Sequence, residues 1–230
     1  MERIDVYDDC FDEEVAHIVN KNLHPAGGGL QEYHQELPSF GWNFGGTSIK
    51  GKGDNSKETQ MFWMMDISSR PEKYKMLAGF ADEIFEALKV KFDFKEKYNV
   101  EEYQRTYMNA HHYGLCPNIH TDDGQWTMIY YPRMDWKREW GGGTSFYKKG
   151  STVIDGQVVE GHTHQFFTPD RLDKIKTVDY VGNRLCVFDA RILHGAEEVD
   201  RQCYELRTNL VFKCYSKDGT GEDRLGFYKN

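Results

Sequence analysis

The chain has 230 residues, 39% hydrophobic and 29% charged, with a formal net charge of -8 and a mean hydropathy of -0.74. This is enough apolar material for one domain with a real core. It argues against phosphate-rich partners, because nucleic acid and anionic membrane both require a basic patch, and the lysines at Lys50, Lys52 and Lys57 sit in a Gly/Asp/Asn-rich loop pattern. No apolar run approaches the roughly 18 residues of a membrane span, and the first residues lack a signal-peptide core. The five cysteines include no C-x-x-C pair, so a reducing, cytoplasmic setting without disulfides is expected.

In chain order, residues 4–7 read as a strand. Residues 13–23 read as a helix, with Val15, Ile18, Val19 and Leu23 at helical spacing behind an acidic start. Pro25 and the glycines at 27–29 stop it. Residues 37–49 suggest a strand with an irregular section, and 51–57 a loop that can also serve as a lid. A strand over 61–67 leads to a second helix. Ser69 and Pro71 mark its start, it runs to about Lys91, and Leu77, Phe80, Ile84, Phe85 and Leu88 form one apolar stripe.

From Val100 the pattern turns to strands: 100–109, 125–132, 144–147, 184–189 and 206–215. A hairpin over 153–160 turns at Asp155-Gly156. Residues 148–177 exceed what a minimal core needs and read as an inserted, possible substrate-covering loop. The expected class is α+β, mainly β, in a single domain over 1–230. Residues 1–99 act as helical and strand support, and 100–216 form an antiparallel sandwich or barrel core.

His120-Thr121-Asp122 carries the chemistry. Side chains at i and i+2 of an extended segment point the same way. Two imidazoles and one carboxylate on one face, with the opposite face open, suit iron(II). A third ligand is then sought in a distant histidine. His194 follows an apolar strand, residues 185–189, and meets that need. Histidines 111, 112, 162 and 164 compete, and each reads more simply as an ordinary surface or core residue.

The surroundings of His120 and Asp122 resemble one family. Gln104-Arg-Thr-Tyr107 precedes Gly114 and His120-Thr-Asp122. Thr127-Met-Ile-Tyr-Tyr131, Gly141-Gly-Gly-Thr-Ser-Phe146, residues 181–189 before His194-Gly-Ala, and Arg207-Thr-Asn-Leu-Val-Phe212 then follow in order. Together they resemble the prolyl-4-hydroxylase-like branch of the iron(II)/2-oxoglutarate oxygenases. The likeness covers about 100–212 well and the N-terminal part loosely.

The resemblance implies a double-stranded β-helix, a jelly-roll of the cupin-like kind, buttressed by N-terminal helices. It implies iron held by His120, Asp122 and His194, with 2-oxoglutarate as co-substrate, dioxygen as oxidant and ascorbate as a candidate auxiliary reductant. The co-substrate's distal carboxylate needs a buried cation. Arg207 supplies a fork that stays charged, flanked by Leu206, Leu210 and Val211 on a strand expected to pair beside that of His194. Tyr131, Tyr107, Thr127 and Asn209 are further co-substrate contacts implied by the resemblance; Asn209 stands where the family often has serine. Related halogenases replace the carboxylate ligand by a small residue, so Asp122 favours hydroxylation, with desaturation or ring closure open to the same ligands. Trp126, Trp136 and Trp140 either line the substrate side or pack. A peptidyl proline, a free amino acid and a secondary metabolite all remain open as substrates. The rival reading is a cupin-like metal-binding module, which has no use for Arg207.

Overall fold

The computed structural model describes residues 3–24, 42–46, 62–68, 75–115, 119–148, 153–154, 157–158 and 172–216. Helix α1, Glu13–Leu23, starts where Asp12 accepts a hydrogen bond from the Val15 amide at 2.9 Å, and it buries Ala16, Val19 and Leu23. Helix α2, Lys75–Phe92, buries Leu77, Ala81, Ile84, Phe85 and Leu88 at the expected spacing; the start anticipated at Ser69 and Pro71 lies outside the described residues. A short helix without a clear sequence signal, α3, spans Phe94–Tyr98. It is bracketed by Asp93 and Asn99, both left-handed at φ 51° and 54°. Among non-glycine residues, Asp and Asn tolerate that conformation best.

Twelve strands lie among the described residues; the strand Leu193–Ala196 has no counterpart in the strands read from the sequence, and three further differences follow. They are β1 (Ile4–Tyr7), β2 (Asn43–Gly46), β3 (Phe62–Asp66), β4 (Tyr103–His111), β5 (Trp126–Tyr131), β6 (Thr144–Tyr147), β7 (Val153–Ile154), β8 (Gln157–Val158), β9 (Lys174–Val178), β10 (Arg184–Asp189), β11 (Leu193–Ala196) and β12 (Arg207–Cys214). A seven-stranded sheet runs β1-β10-β5-β12-β4-β3-β2, and a three-stranded sheet runs β11-β6-β9.

The first difference concerns the N-terminal strands. They do not merely support the core: β1 pairs with β10 and β3 with β4, so residues before Val100 extend the large sheet at both ends. Second, the stretch read as an insertion contributes β9 to the small sheet, and β7 pairs with β8 as the predicted hairpin requires. Third, β12 does not lie beside β11. It pairs with β4 and β5 in the large sheet, while β11 pairs with β6.

The architecture is α+β, mainly β, and two cores explain it. Outside the large sheet, Phe85, Leu88, Phe94 and Tyr98 of the helices pack on Met128, Tyr130, Leu185, Leu210 and Phe212. Between the sheets, Ile129, Tyr131, Cys186, Phe188 and Val211 meet Phe146 and Val178. Strand alternation divides β12 between them: Leu210 and Phe212 face the helices, and Val211 faces the small sheet. Arg207, Asn209 and Lys213 have the parity of Val211 and so face inward too. The four described cysteines, Cys10, Cys186, Cys203 and Cys214, are buried and free. No helix among the described residues is long and apolar enough to cross a membrane.

Candidate metal centre

His120 and His194 are tied through their backbones. The amide of each donates to the carbonyl of the other at 2.9 Å, an isolated antiparallel bridge that holds the two rings 4.6 Å apart. Asp122 is fixed two residues on, where its amide donates to Ala190 O at 2.7 Å. One ligand atom from each of His120, Asp122 and His194 lies within 4.8 Å of the others. His120 Nε2 stands 3.4 Å from Asp122 Oδ1, and His194 Nε2 stands 3.2 Å from Oδ2. Asp122 and His194 are buried, whereas His120 is 21% exposed, so the cluster opens on the His120 side.

The protonation pattern suits a cation. His194 Nδ1 lies 2.8 Å from the Ile192 carbonyl and must donate to it, which leaves Nε2 with its lone pair in the neutral ring. Burial lowers the His194 pKa, with the Asp122 charge opposing. Burial alone would raise Asp122; the charge of Lys213 beside it is the largest opposing influence, and the carboxyl is held well below the usual range. A neutral imidazole and a carboxylate facing each other at 3.2 Å present two lone pairs to one point. Two nitrogens and an oxygen are the donors that ferrous iron accepts. The residues present therefore fit such an ion.

Asp122 Oδ2 has two further partners. Thr127 Oγ1 donates to it at 2.7 Å, and the ammonium of Lys213 lies in contact with it and 3.1 Å from Thr127 Oγ1. Lys213 is 1% exposed. Its pKa is raised: burial lowers it, but the Asp122 charge beside it outweighs the burial, so the pair is ionic. The Tyr107 ring lies 5.9 Å from Lys213 Nζ, and burial raises its hydroxyl pKa.

Arg207 is fully buried and reaches across from the large sheet to the small one. Nε donates to Gly142 O, Nη2 to Gly143 O and Thr144 Oγ1 at 3.4 Å each, and Nη1 lies 3.4 Å from His111 Nδ1. The guanidinium sits 5.8 Å from the Tyr131 ring centre and 5.6 Å from that of Tyr180. Tyr131 OH bonds Thr144 Oγ1 at 2.7 Å. Every hydrogen-bond partner of Arg207 is neutral, and no carboxylate pairs with it among the described residues. Three buried polar atoms near it on the inner face are unpartnered: His111 Nε2, Asn109 Oδ1 and Asn209 Oδ1. Asn109 faces Asn209 across β4 and β12, and His111 faces Arg207. The result is a polar lining with a positive charge that no carboxylate contacts directly; the charge of Glu197 acts on it only from a distance.

Among solved structures, a Pseudomonas putida prolyl-4-hydroxylase superposes with a TM-score of 0.51 at 11% identity, over 94% of each chain. The fold is that of the prolyl 4-hydroxylases. A Trichoplax adhaerens prolyl hydroxylase, solved with a hypoxia inducible factor peptide fragment, matches with a TM-score of 0.54 at 14% identity, over 93% of this chain and 83% of that one. The epimerase SnoN, solved with Fe3+, alpha ketoglutarate and nogalamycin RO, gives 0.53 at 12% identity, over 92% and 78%. No protein-family model and no curated protein sequence matches the chain.

On this prolyl-4-hydroxylase fold, the residues singled out from sequence divide into two groups. His120, Asp122 and His194 converge with Thr127 beside them; Thr127 faces the Asp122 carboxylate rather than the arginine. Arg207, Tyr131 and Asn209 gather at the other end of the same inner face. Trp136 packs on Trp140 and Tyr180, and Trp126 packs on Tyr98. His162 and His164 lie outside the described residues, as does loop 51–57. Sequence reasoning missed Lys213 and Asn109 and passed over His111. A signal existed for the first, because Lys213 lies six residues after Arg207 (213 − 207), an even spacing that puts both on one face of a strand.

Proposed function

We propose that this protein is an iron(II)- and 2-oxoglutarate-dependent dioxygenase that hydroxylates an unactivated C–H bond and releases succinate and carbon dioxide. The observation that carries the reading is a His-Asp-His cluster with the buried guanidinium of Arg207, hydrogen-bonded only to neutral groups, on the same inner surface. His120, Asp122 and His194 would hold the iron, which when bound supplies the oxidising chemistry. Arg207 would grip the distal carboxylate of the co-substrate, with Tyr131 and Asn209 beside it, and Tyr107 would line the pocket wall. A cation buried without a counter-charge is costly, and a dicarboxylate relieves that cost. Thr127 holds the carboxylate ligand in place. Peptides and small molecules are both admitted as substrates, since one neighbour was solved with a peptide and another with nogalamycin RO. A cupin-like module that only binds metal leaves Arg207 unexplained.

The test is anaerobic titration with iron(II) and then 2-oxoglutarate. A weak visible charge-transfer band is expected, absent in His194→Ala and Asp122→Ala. Aerobic incubation with ascorbate and substrate pools should then yield succinate above the substrate-free rate. Iron binding without the band or any succinate refutes the oxygenase reading.

A further inference from the structure

Lys213 has no place in the chemistry just described. It projects inward from β12 and is buried to 1% exposure, and its ammonium touches the one oxygen of Asp122 that also accepts from Thr127. No other described carboxylate pairs with it: Asp123, the next acid along, is engaged by Arg105 at 3.0 Å. A neutral hydroxyl already orients Oδ2, so orientation alone does not require a lysine. The lysine adds charge. Without metal it neutralises a carboxylate that burial would otherwise penalise. With metal, a divalent ion and an ammonium share one carboxylate in a water-poor setting, where their repulsion is poorly screened.

We infer that Lys213 is a resident counter-ion of Asp122 that lowers the affinity of the His120-Asp122-His194 cluster for divalent metal and speeds metal exchange. This rests on reading that cluster as a metal site. Lys213 is thus a positioning and charge-setting residue that acts through Asp122.

Mn(II), a redox-inert stand-in for the ferrous ion, is the probe, and free Mn(II) is followed by electron paramagnetic resonance without any turnover. Lys213→Gln keeps a donor for Oδ2 and removes the charge; Lys213→Arg keeps the charge. The Gln variant should bind Mn(II) about tenfold tighter or more, the scale expected when one nearby unit charge is removed from a buried site. It should also release the ion to a chelator correspondingly more slowly, while the Arg variant tracks wild type. If the Gln variant proves unstable without metal, the Mn(II) dependence of its thermal midpoint gives the same comparison. Equal or weaker binding by the Gln variant overturns the inference and makes Lys213 a plain orienting group. If wild type binds no Mn(II) at all, the metal-site reading itself falls, an outcome distinct from the first.

Discussion

Arg207 is held by carbonyls that exist only because the chain turns tightly at Gly142. That glycine has φ +75°, and a Cβ there would meet Arg207 Cδ at 3.0 Å. Gly142→Ala should therefore disturb the guanidinium while sparing His120, Asp122 and His194. Arg207→Met should raise the dissociation constant for 2-oxoglutarate roughly 100-fold, the loss expected for a bidentate charge-assisted contact, with Mn(II) affinity changed less than about threefold, since the two lie at separate ends of the inner face. Gly142→Ala should shift the same way by a smaller factor. Isothermal titration of both ligands checks this, and parallel losses of metal and co-substrate binding would count against separate roles. The convergence of His120, Asp122 and His194 was legible in the sequence because i, i+2 spacing and an apolar strand before His194 are local signals. Lys213 was not, because a lysine in an apolar strand ordinarily reads as an exposed edge residue. His111 and Asn109 depend on strand pairing that no local pattern encodes.

At the scale of elements, helix α2 is the support behind the large sheet. Phe85 packs on Phe94, Tyr103 and Phe212, with ring centres 6.0, 5.1 and 5.2 Å away. Phe85→Ala should cost about 3–5 kcal/mol, read as a shift in the urea midpoint. Strands that are nearly continuous apolar runs buried on both faces, such as β5 and β10, were legible. β11 was not: Leu-His-Gly-Ala is four residues long and carries a glycine, and it owes its extended form to pairing with β6. The pairing of β12 with β4 and β5 rather than β11 followed from which strands share each sheet, a non-local matter.

For the whole molecule, buried neutral histidines set the acid response. Burial, with Arg207 beside it, holds His111 well below the ordinary imidazole value, and burial lowers His24 and His194. A histidine with a depressed folded pKa stabilises fully above its unfolded value, near 6.5, and loses that contribution as pH falls toward the folded value. The thermal midpoint of the metal-free protein should thus decline below about pH 6.5, and His111→Gln should flatten the slope by about one proton, near 1.4 kcal/mol per pH unit. Asp8, paired with Arg184, and Asp135, paired with Arg133, are lowered from the ordinary carboxylate value, so a further loss belongs below about pH 4. Saturating Mn(II) at about 100 times its dissociation constant should add roughly 2.7 kcal/mol, seen as a rise in midpoint that His120→Ala abolishes.

Arg207 and Lys213 share one stave of the barrel wall, and their common direction is a matter of counting. Inserting a single residue ahead of Arg207 and deleting one after Lys213 would rotate that stave half a turn. Both positive charges would then be turned toward the helix-facing layer, and Leu210 and Phe212 would be turned toward the small sheet. The arithmetic of hydrogen-bonded rungs therefore polices ligand chemistry: a frame error here ruins folding before it can yield a miswired catalyst.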